Sequence, residues 1–309
     1  MDDDGRLSVS LPGARLAGAL GAVPPGVELL RWDLTGPAPA RRIDLVVLPY
    51  VPGSAHLRWL DGVTTRLVQA QYLGYDGVAE ALPPGHVYAN ARGVHETSTA
   101  ELALALLLAA QRGIGDFVRA AGVRTPEPAW YPSLADRRVL VLGQGGVGRA
   151  IEARLAPFEV DVVRVARTAR DDERGRVHGI AELPELLPSC EAVVVGVPLT
   201  GETAGLVDAD FLARLPDGAV VVNVARGRVA DTGAILAQAR TGRLRFALDV
   251  TDPEPLPVDH ELFTLPNVLI SPHAGGMSSA MLPRVARLVR RQIDLLRDGA
   301  GPVNVVLRS

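Results

Sequence analysis

The chain contains no lysine, so all 32 of its basic residues are arginine. Schiff-base chemistry and a Walker-type phosphate loop are thereby excluded, since both need a lysine amine. Cysteine is nearly absent as well. Cys190 stands alone, which rules out an internal disulfide, and its setting in Ser189-Cys190-Glu191-Ala192-Val193 reads as a core position at the start of a strand. Neither sign of charge dominates: the formal net charge is −3 over 309 residues, and no basic stripe of the kind a dedicated nucleic-acid binder carries is present. No spacing of His, Cys and Asp resembles a metal site. The longest apolar run, Leu102 to Ala110, is too short to span a membrane. Met1-Asp2-Asp3-Asp4 lacks the positive and apolar regions of a signal peptide, so the expectation is a cytoplasmic protein with no nucleic-acid or membrane partner.

What is present is a chain 48% hydrophobic and long enough for two domains of ordinary size. It is organised around Val139-Leu140-Val141-Leu142-Gly143-Gln144-Gly145-Gly146-Val147-Gly148, an apolar run that breaks into Gly-x-Gly-x-x-Gly and resumes at helical spacing. This is a buried strand, a tight turn and a helix start. Gly143 permits the turn, Gly145 lets the backbone approach a pyrophosphate, and Gly148 lets helix and strand pack closely. A tight turn that binds nothing is the alternative.

Before this motif, strands are expected at Leu7 to Leu11, Val27 to Trp32, Ile43 to Tyr50, Leu67 to Tyr72 and Val87 to Ala89, separated by Pro- and Gly-bearing loops. That rhythm implies a small parallel α/β unit of its own. Two loops in it follow strands and are placed where a ligand could lie, Tyr50-Val51-Pro52-Gly53-Ser54 and Leu73-Gly74-Tyr75-Asp76, with an ordinary turn as the alternative for the second. A helix from Thr97 to Arg112 is apolar almost all round, which predicts burial on every side. Trp130, with Pro126, Pro128 and Pro132, reads as a connector.

After the motif the second strand is expected at Asp161 to Val165. An acidic residue near its end would bind the ribose 2′-hydroxyl of NAD(H), but Ala166 stands there, followed by Arg167, Thr168 and Arg170. With no carboxylate to repel a 2′-phosphate, and arginines able to grip it, NADP(H) is preferred and NAD(H) remains possible. Further strands are expected at Ala192 to Val197, Ala219 to Val224, Phe246 to Val250 and Val268 to Ile270. Arg226, Glu254 and His273 lie just beyond three of them, where open α/β sheets bind ligands. Singly, each has a plainer reading as a surface arginine, a loop acid and a hydrogen-bonded histidine. Together they suit hydride transfer to a carbonyl beside a carboxylate: Arg226 holds the carboxylate, His273 gives a proton to the carbonyl oxygen, and Glu254 orients the imidazole.

Several stretches resemble the D-isomer-specific 2-hydroxyacid dehydrogenase family. They are Val221 to Asp231 around Arg226, Ala247 to Pro257 around Glu254, Ser271-Pro272-His273-Ala274-Gly275-Gly276, Val197-Pro198-Leu199-Thr200-Gly201-Glu202-Thr203, Thr99-Ala100-Glu101 and Leu73-Gly74-Tyr75-Asp76. The resemblance implies two Rossmann-like or flavodoxin-like α/β domains with parallel sheets and a cleft between them. The substrate domain would comprise residues 1–93 and 283–309, and a dinucleotide-binding domain residues 94–282. It implies catalytic roles for Arg226, Glu254 and His273, and substrate contacts at Leu73, Gly74, Tyr75, Arg226 and His273. Besides the glycine motif and Arg167, Thr168 and Arg170, it implies cofactor contacts at Thr99, Val197, Pro198, Thr203, Val224, Ala225, Asp249, His273 and Gly275. The expected partners are a small 2-ketoacid or 2-hydroxyacid and a second copy of the chain, paired through the cofactor domain. Tyr75 departs from the small or aliphatic residue usual at its position in the family and narrows the expected pocket. A non-catalytic NADP(H)-binding regulator and phosphite oxidation on the same fold stay as alternatives.

Overall fold

The computed structural model describes residues 6–51, 53–123 and 128–309, so the sequence features at Met1–Asp4, Pro52 and Pro126 lie outside the described residues. In chain order come β1 (Leu7–Leu11), α1 (Ala14–Leu20), β2 (Val27–Arg31), β3 (Leu45–Val47), β4 (Leu67–Gln69), α2 (Val78–Ala81) and β5 (Val87–Ala89). The middle of the chain holds α3 (Glu96–Gln111), α4 (Ile114–Gly122), β6 (Arg138–Leu142), α5 (Gly146–Leu155), β7 (Asp161–Ala166), β8 (Arg170–Asp172), β9 (Gly175–Gly179), α6 (Leu183–Leu186) and β10 (Ala192–Val195). Then follow α7 (Ala209–Ala213), β11 (Val220–Asn223), α8 (Thr232–Thr241), β12 (Arg245–Leu248), β13 (Val268–Ile270), α9 (Met281–Arg297) and β14 (Val305–Arg308). Contacts divide the chain into two units, Met1–His95 with Ser278–Ser309, and Glu96–Met277.

The first unit has one sheet in the order β14-β5-β4-β3-β1-β2, parallel except for β14 against β5. Its five parallel strands have the flavodoxin-like arrangement. Alternation along β3 builds a core on each face: Leu45 and Val47 join α1 and α9 residues such as Leu16, Val289 and Ile293, while Val46 and Leu48 join Leu57, Leu60 and Tyr88. The C-terminal helix is tied in by a fully buried amide pair. Gln292 Nε2 donates to Gln69 Oε1 and to the Val303 carbonyl, each at 2.8 Å, and Gln69 Nε2 donates to the Ala70 carbonyl at 2.7 Å, so these polar groups are buried at little cost.

The second unit holds an eight-stranded sheet, β13-β12-β11-β10-β6-β7-β9-β8, parallel except for the β8–β9 hairpin. Strands buried on both faces need continuous apolar runs, which is why β10 and β11 read Ala192-Val193-Val194-Val195 and Val220-Val221-Val222-Asn223. Leu140, Leu142, Val193 and Val195 face one core, and Val139, Val141 and Val194 face the other, beneath α3 and α5. Cys190 is fully buried just before β10, and burial pushes its thiol up to about 11.

One expectation changes here. α3 is not buried on every side: it packs along α5, β11 and β12, leaving Ala105 exposed and Leu102 and Leu108 half-buried. Arg170 opens β8, whose charged residues form a hairpin with β9.

Candidate active site

The sheet of the second unit brings the chemistry-bearing loops to one edge. Val165, Leu142, Val195, Asn223, Leu248 and Ile270 stand level across six parallel strands, so the loops after β7, β6, β10, β11, β12 and β13 leave from the same side. The strand order reverses between β6 and its neighbours β7 and β10, and the crevice at such a switch point is where open α/β sheets take ligands.

The glycine loop occupies that point. Gly143 has φ +109°, and a methyl on it would lie 2.6 Å from the Gly196 carbonyl oxygen, so only glycine makes this turn. A methyl on Gly148 would lie 1.7 Å from the Gly143 oxygen, whereas a methyl on Gly145 would meet no protein atom within 4 Å. Gly145 stands at the N-cap of α5 with no side chain of its own, and the Glu96 side chain lies against the next residue, Oε1 being 3.0 Å from where a methyl on Gly146 would stand. Beside it Gln144 is only 6% exposed, yet both heteroatoms of its amide lack a hydrogen-bond partner. Open space over one glycine and an unsatisfied buried amide fit a loop built to meet a ligand with phosphate oxygens. At the end of β7, Arg167, Thr168 and Arg170 are exposed, and Arg170 Nη1 lies 3.5 Å from the Thr168 carbonyl oxygen.

On the other side of the switch point, the three candidate catalytic side chains leave the ends of β11, β12 and β13. Arg226 follows β11 and is half-buried, with Nη1 donating to the Ala225 carbonyl at 2.7 Å. Asn223, 2% exposed, fixes this turn: its amide donates to the Arg226 carbonyl at 3.1 Å and accepts from the Ala225 N–H at 3.0 Å. Gly227 abuts the loop that carries Glu254, since a methyl there would sit 1.8 Å from the Thr251 carbonyl oxygen. Glu254 Oε1 and His273 Nδ1 are 2.5 Å apart, with both side chains partly exposed. An ionised carboxylate only accepts, so Nδ1 carries the proton and the imidazole presents Nε2 outward from the pair.

His273 adopts φ +53°, held by its N–H donating to the Asp249 carbonyl at 2.8 Å. Asp249, 2% exposed, builds the same turn with its side chain: Oδ1 accepts from Ser271 Oγ at 2.6 Å and the Ala274 N–H at 2.7 Å, and Oδ2 from the Gly275 N–H at 2.9 Å. Thr99 lies beside Gly275, where an added methyl would stand 3.3 Å from Thr99 Cγ2. Val197, Val224 and Ala225 are buried at strand ends and Pro198 is exposed. Thr203 is turned into its own loop, donating to the Pro198 carbonyl at 2.6 Å and accepting from the Thr200 N–H at 2.8 Å. Asn223 and Ser271 carry no assigned role in the sequence; a polar residue closing an otherwise apolar buried strand was the available signal for Asn223. In the first unit, Leu73, Gly74 and Tyr75 follow the end of β4, with the Leu73 carbonyl accepting from Asn90 Nδ2 at 2.9 Å and Tyr75 43% exposed.

Residues 104–275 match the family model described as D-isomer specific 2-hydroxyacid dehydrogenase, NAD binding domain. Over 257 residues the chain is 33% identical to a glyoxylate reductase of Pyrococcus horikoshii, covering 79% of this chain and 77% of that one. It is 32% identical over 267 residues to a human glyoxylate reductase/hydroxypyruvate reductase, covering 81% of each. Among solved structures, a D-isomer specific 2-hydroxyacid dehydrogenase from Xanthobacter autotrophicus, in complex with NADPH and MES, matches with a TM-score of 0.82 at 29% identity over 98% of both chains. Among the described residues no helix is long and apolar enough to cross a membrane, and no group of three or more His, Cys, Asp or Glu could hold a metal ion.

Proposed function

Since the chain belongs to the D-isomer specific 2-hydroxyacid dehydrogenase family, we propose that it reduces a small 2-ketoacid such as glyoxylate or hydroxypyruvate, reversibly, with NADP(H) preferred over NAD(H). The observation that carries this reading is the 2.5 Å contact between His273 Nδ1 and Glu254 Oε1 at the strand ends next to Arg226. A bound nicotinamide dinucleotide supplies hydride for the 2-carbonyl carbon. His273 delivers the proton from Nε2 to the carbonyl oxygen and takes it back in the reverse direction, while Glu254 keeps Nδ1 protonated and the ring in place. Arg226 holds the substrate carboxylate in a fork geometry and polarises the carbonyl. Leu73 and Gly74 are the proposed backbone contacts for the carboxylate, with Tyr75 limiting substrate size.

The dinucleotide is assigned to the loop Gly143 to Gly148, to Val197, Pro198, Val224 and Ala225, and to the turn of Asp249, His273 and Gly275 with Thr99. The preference for a 2′-phosphate rests on Arg167, Thr168 and Arg170, which follow Ala166 where NAD(H) users carry an acid. The NADPH complex of the Xanthobacter relative agrees with it. Charge-assisted hydrogen bonds contribute about 1.5–3 kcal/mol each. NADPH is therefore expected to exceed NADH at least tenfold in kcat/KM across glyoxylate, hydroxypyruvate, pyruvate and phenylpyruvate. Arg170→Ala is expected to remove most of that margin by raising KM for NADPH alone; a wild-type enzyme faster with NADH would refute the assignment.

We further propose a homodimer joined through the second unit. No residue of α4 is buried, and Ile114, Phe117, Val118 and Val123 stand 45–71% exposed on or just after it, with Trp130 beyond fully exposed. An apolar surface of that kind is uncommon on a monomer. Val118→Asp is expected to shift the molar mass seen by light scattering from dimer to monomer; a wild-type monomer at micromolar concentration would refute the pairing.

A further inference from the structure

Four charged side chains form a closed ring in the second unit beside the segment that follows β7. Arg164, on β7, is 4% exposed; its Nη1 donates to Asp172 Oδ1 at 2.8 Å and its Nε lies 3.8 Å from Glu152 Oε1. Arg174 closes the ring, with Nη1 2.6 Å from Glu152 Oε2 and Nη2 3.3 Å from Asp172 Oδ2. The Arg174 N–H adds a third donor to Asp172 at 2.9 Å, and these donors, Arg164 foremost, hold the Asp172 carboxyl down at about 2.

Stability alone does not call for this arrangement. Arg164 stands between Val163 and Val165 in a strand whose other central positions are apolar. An apolar side chain in place of a buried ion pair is often neutral or stabilising, because desolvation of the charges offsets their attraction. What the ring supplies is geometry. Glu152 belongs to α5, the helix whose first turn is the glycine motif. Arg164 ends one side of the segment carrying Arg167, Thr168 and Arg170, and Asp172 ends the other. Both ends of the segment are thus fastened to the helix that starts at the phosphate-binding loop.

We propose that the ring of Arg164, Asp172, Glu152 and Arg174 is a positioning device for cofactor discrimination, fixing Arg167 and Arg170 relative to α5 so that a 2′-phosphate completes the site better than a 2′-hydroxyl. The proposal rests on the NADP(H) reading above. None of the four ring residues touches the nucleotide in this scheme; each acts through the segment it holds.

The test is calorimetric titration of the cofactor-free full-length protein with adenosine 2′,5′-bisphosphate and with 5′-AMP, alongside KM for NADPH and NADH. In Arg164→Met and in Arg174→Ala, affinity for the bisphosphate and KM for NADPH are expected to worsen tenfold or more. Affinity for 5′-AMP, KM for NADH and kcat are expected to stay within twofold. Arg174 is 40% exposed, so its variant carries the test if Arg164→Met does not fold. Equal losses for both ligands would reduce the ring to a structural role and overturn the proposal, as would no loss for either. Arg170→Ala separates the layers: if it costs tenfold in bisphosphate affinity while the ring variants cost nothing, the ring proposal alone fails. If the wild type binds the two nucleotides equally, the NADP(H) reading fails and the ring proposal with it.

Discussion

Replacing His273 with alanine is expected to lower kcat about a thousandfold while leaving the dissociation constant for NADPH within about twofold. General acid–base catalysis by a placed side chain contributes about 10²–10⁴ in rate, and His273 is the imidazole that the strand ends present beside Glu254. The substitution removes the imidazole without dismantling its setting. The turn at φ +53° is held by the His273 N–H on the Asp249 carbonyl and by the Asp249 carboxylate on Ser271, Ala274 and Gly275, and an alanine keeps every one of these bonds. Stopped-flow or steady-state oxidation of NADPH measures the first quantity, and quenching of nicotinamide fluorescence the second. Glu254→Gln should lose less than His273→Ala, because the amide oxygen still accepts from Nδ1 but carries no charge. Undiminished turnover in His273→Ala would remove it as proton donor, and a protein that binds NADPH but turns over no ketoacid at all would be a dinucleotide-binding regulator.

Gly148→Ala is expected to weaken dinucleotide binding at least tenfold and to lower Tm by about 2–12 °C. The new methyl would stand 1.7 Å from the Gly143 oxygen and 2.8 Å from its carbonyl carbon, both backbone atoms, so no side-chain rotation relieves the clash. Gly143 has nowhere to retreat, because its other side is already against the Gly196 carbonyl. Overpacking of this kind costs about 1–3 kcal/mol, and each kcal/mol shifts Tm by roughly 2–4 °C in a chain of this class. Gly145→Ala makes the informative control. The protein offers its methyl no contact within 4 Å, so melting should be unchanged and only nucleotide binding lost. Normal binding by Gly145→Ala would mean that no ligand approaches this loop, whatever Gly148→Ala does.

The central strands of the second unit's sheet were legible because parallel strands buried on both faces require unbroken apolar runs, and Val139 to Leu142, Ala192 to Val195 and Val220 to Val222 supply them. The turn glycines, and the polar residues after each strand, were legible for the same reason: they interrupt the runs. The β8–β9 hairpin was not. Arg170-Asp171-Asp172 and Gly175-Arg176-Val177-His178-Gly179 carry one buried apolar side chain, so they show no alternation, and their position comes from the parallel pairing of β9 with β7 and from ion pairs with residues on β7 and α5. Asn223 and Ser271 escaped for a related reason. Their part is hydrogen bonding to the Arg226 turn and to Asp249, partners that only the folded chain brings into reach. All-round apolarity in α3 misled in the opposite direction, since it does not say whether the protein's own sheet covers every face.

The return of the chain to its first sheet has a consequence for synthesis on the ribosome. The core of the first unit includes Val285, Val289, Ile293 and Leu296 of α9, and its edge strand β14 pairs with β5. Neither can be in place until the whole second unit, Glu96–Met277, has been made. At about 5–20 residues per second, the nascent first sheet waits roughly ten to forty seconds with an uncovered apolar face, while the second unit emerges with all its strands in hand. The segment made first is thus the one completed last, and chaperone demand during translation should concentrate on it.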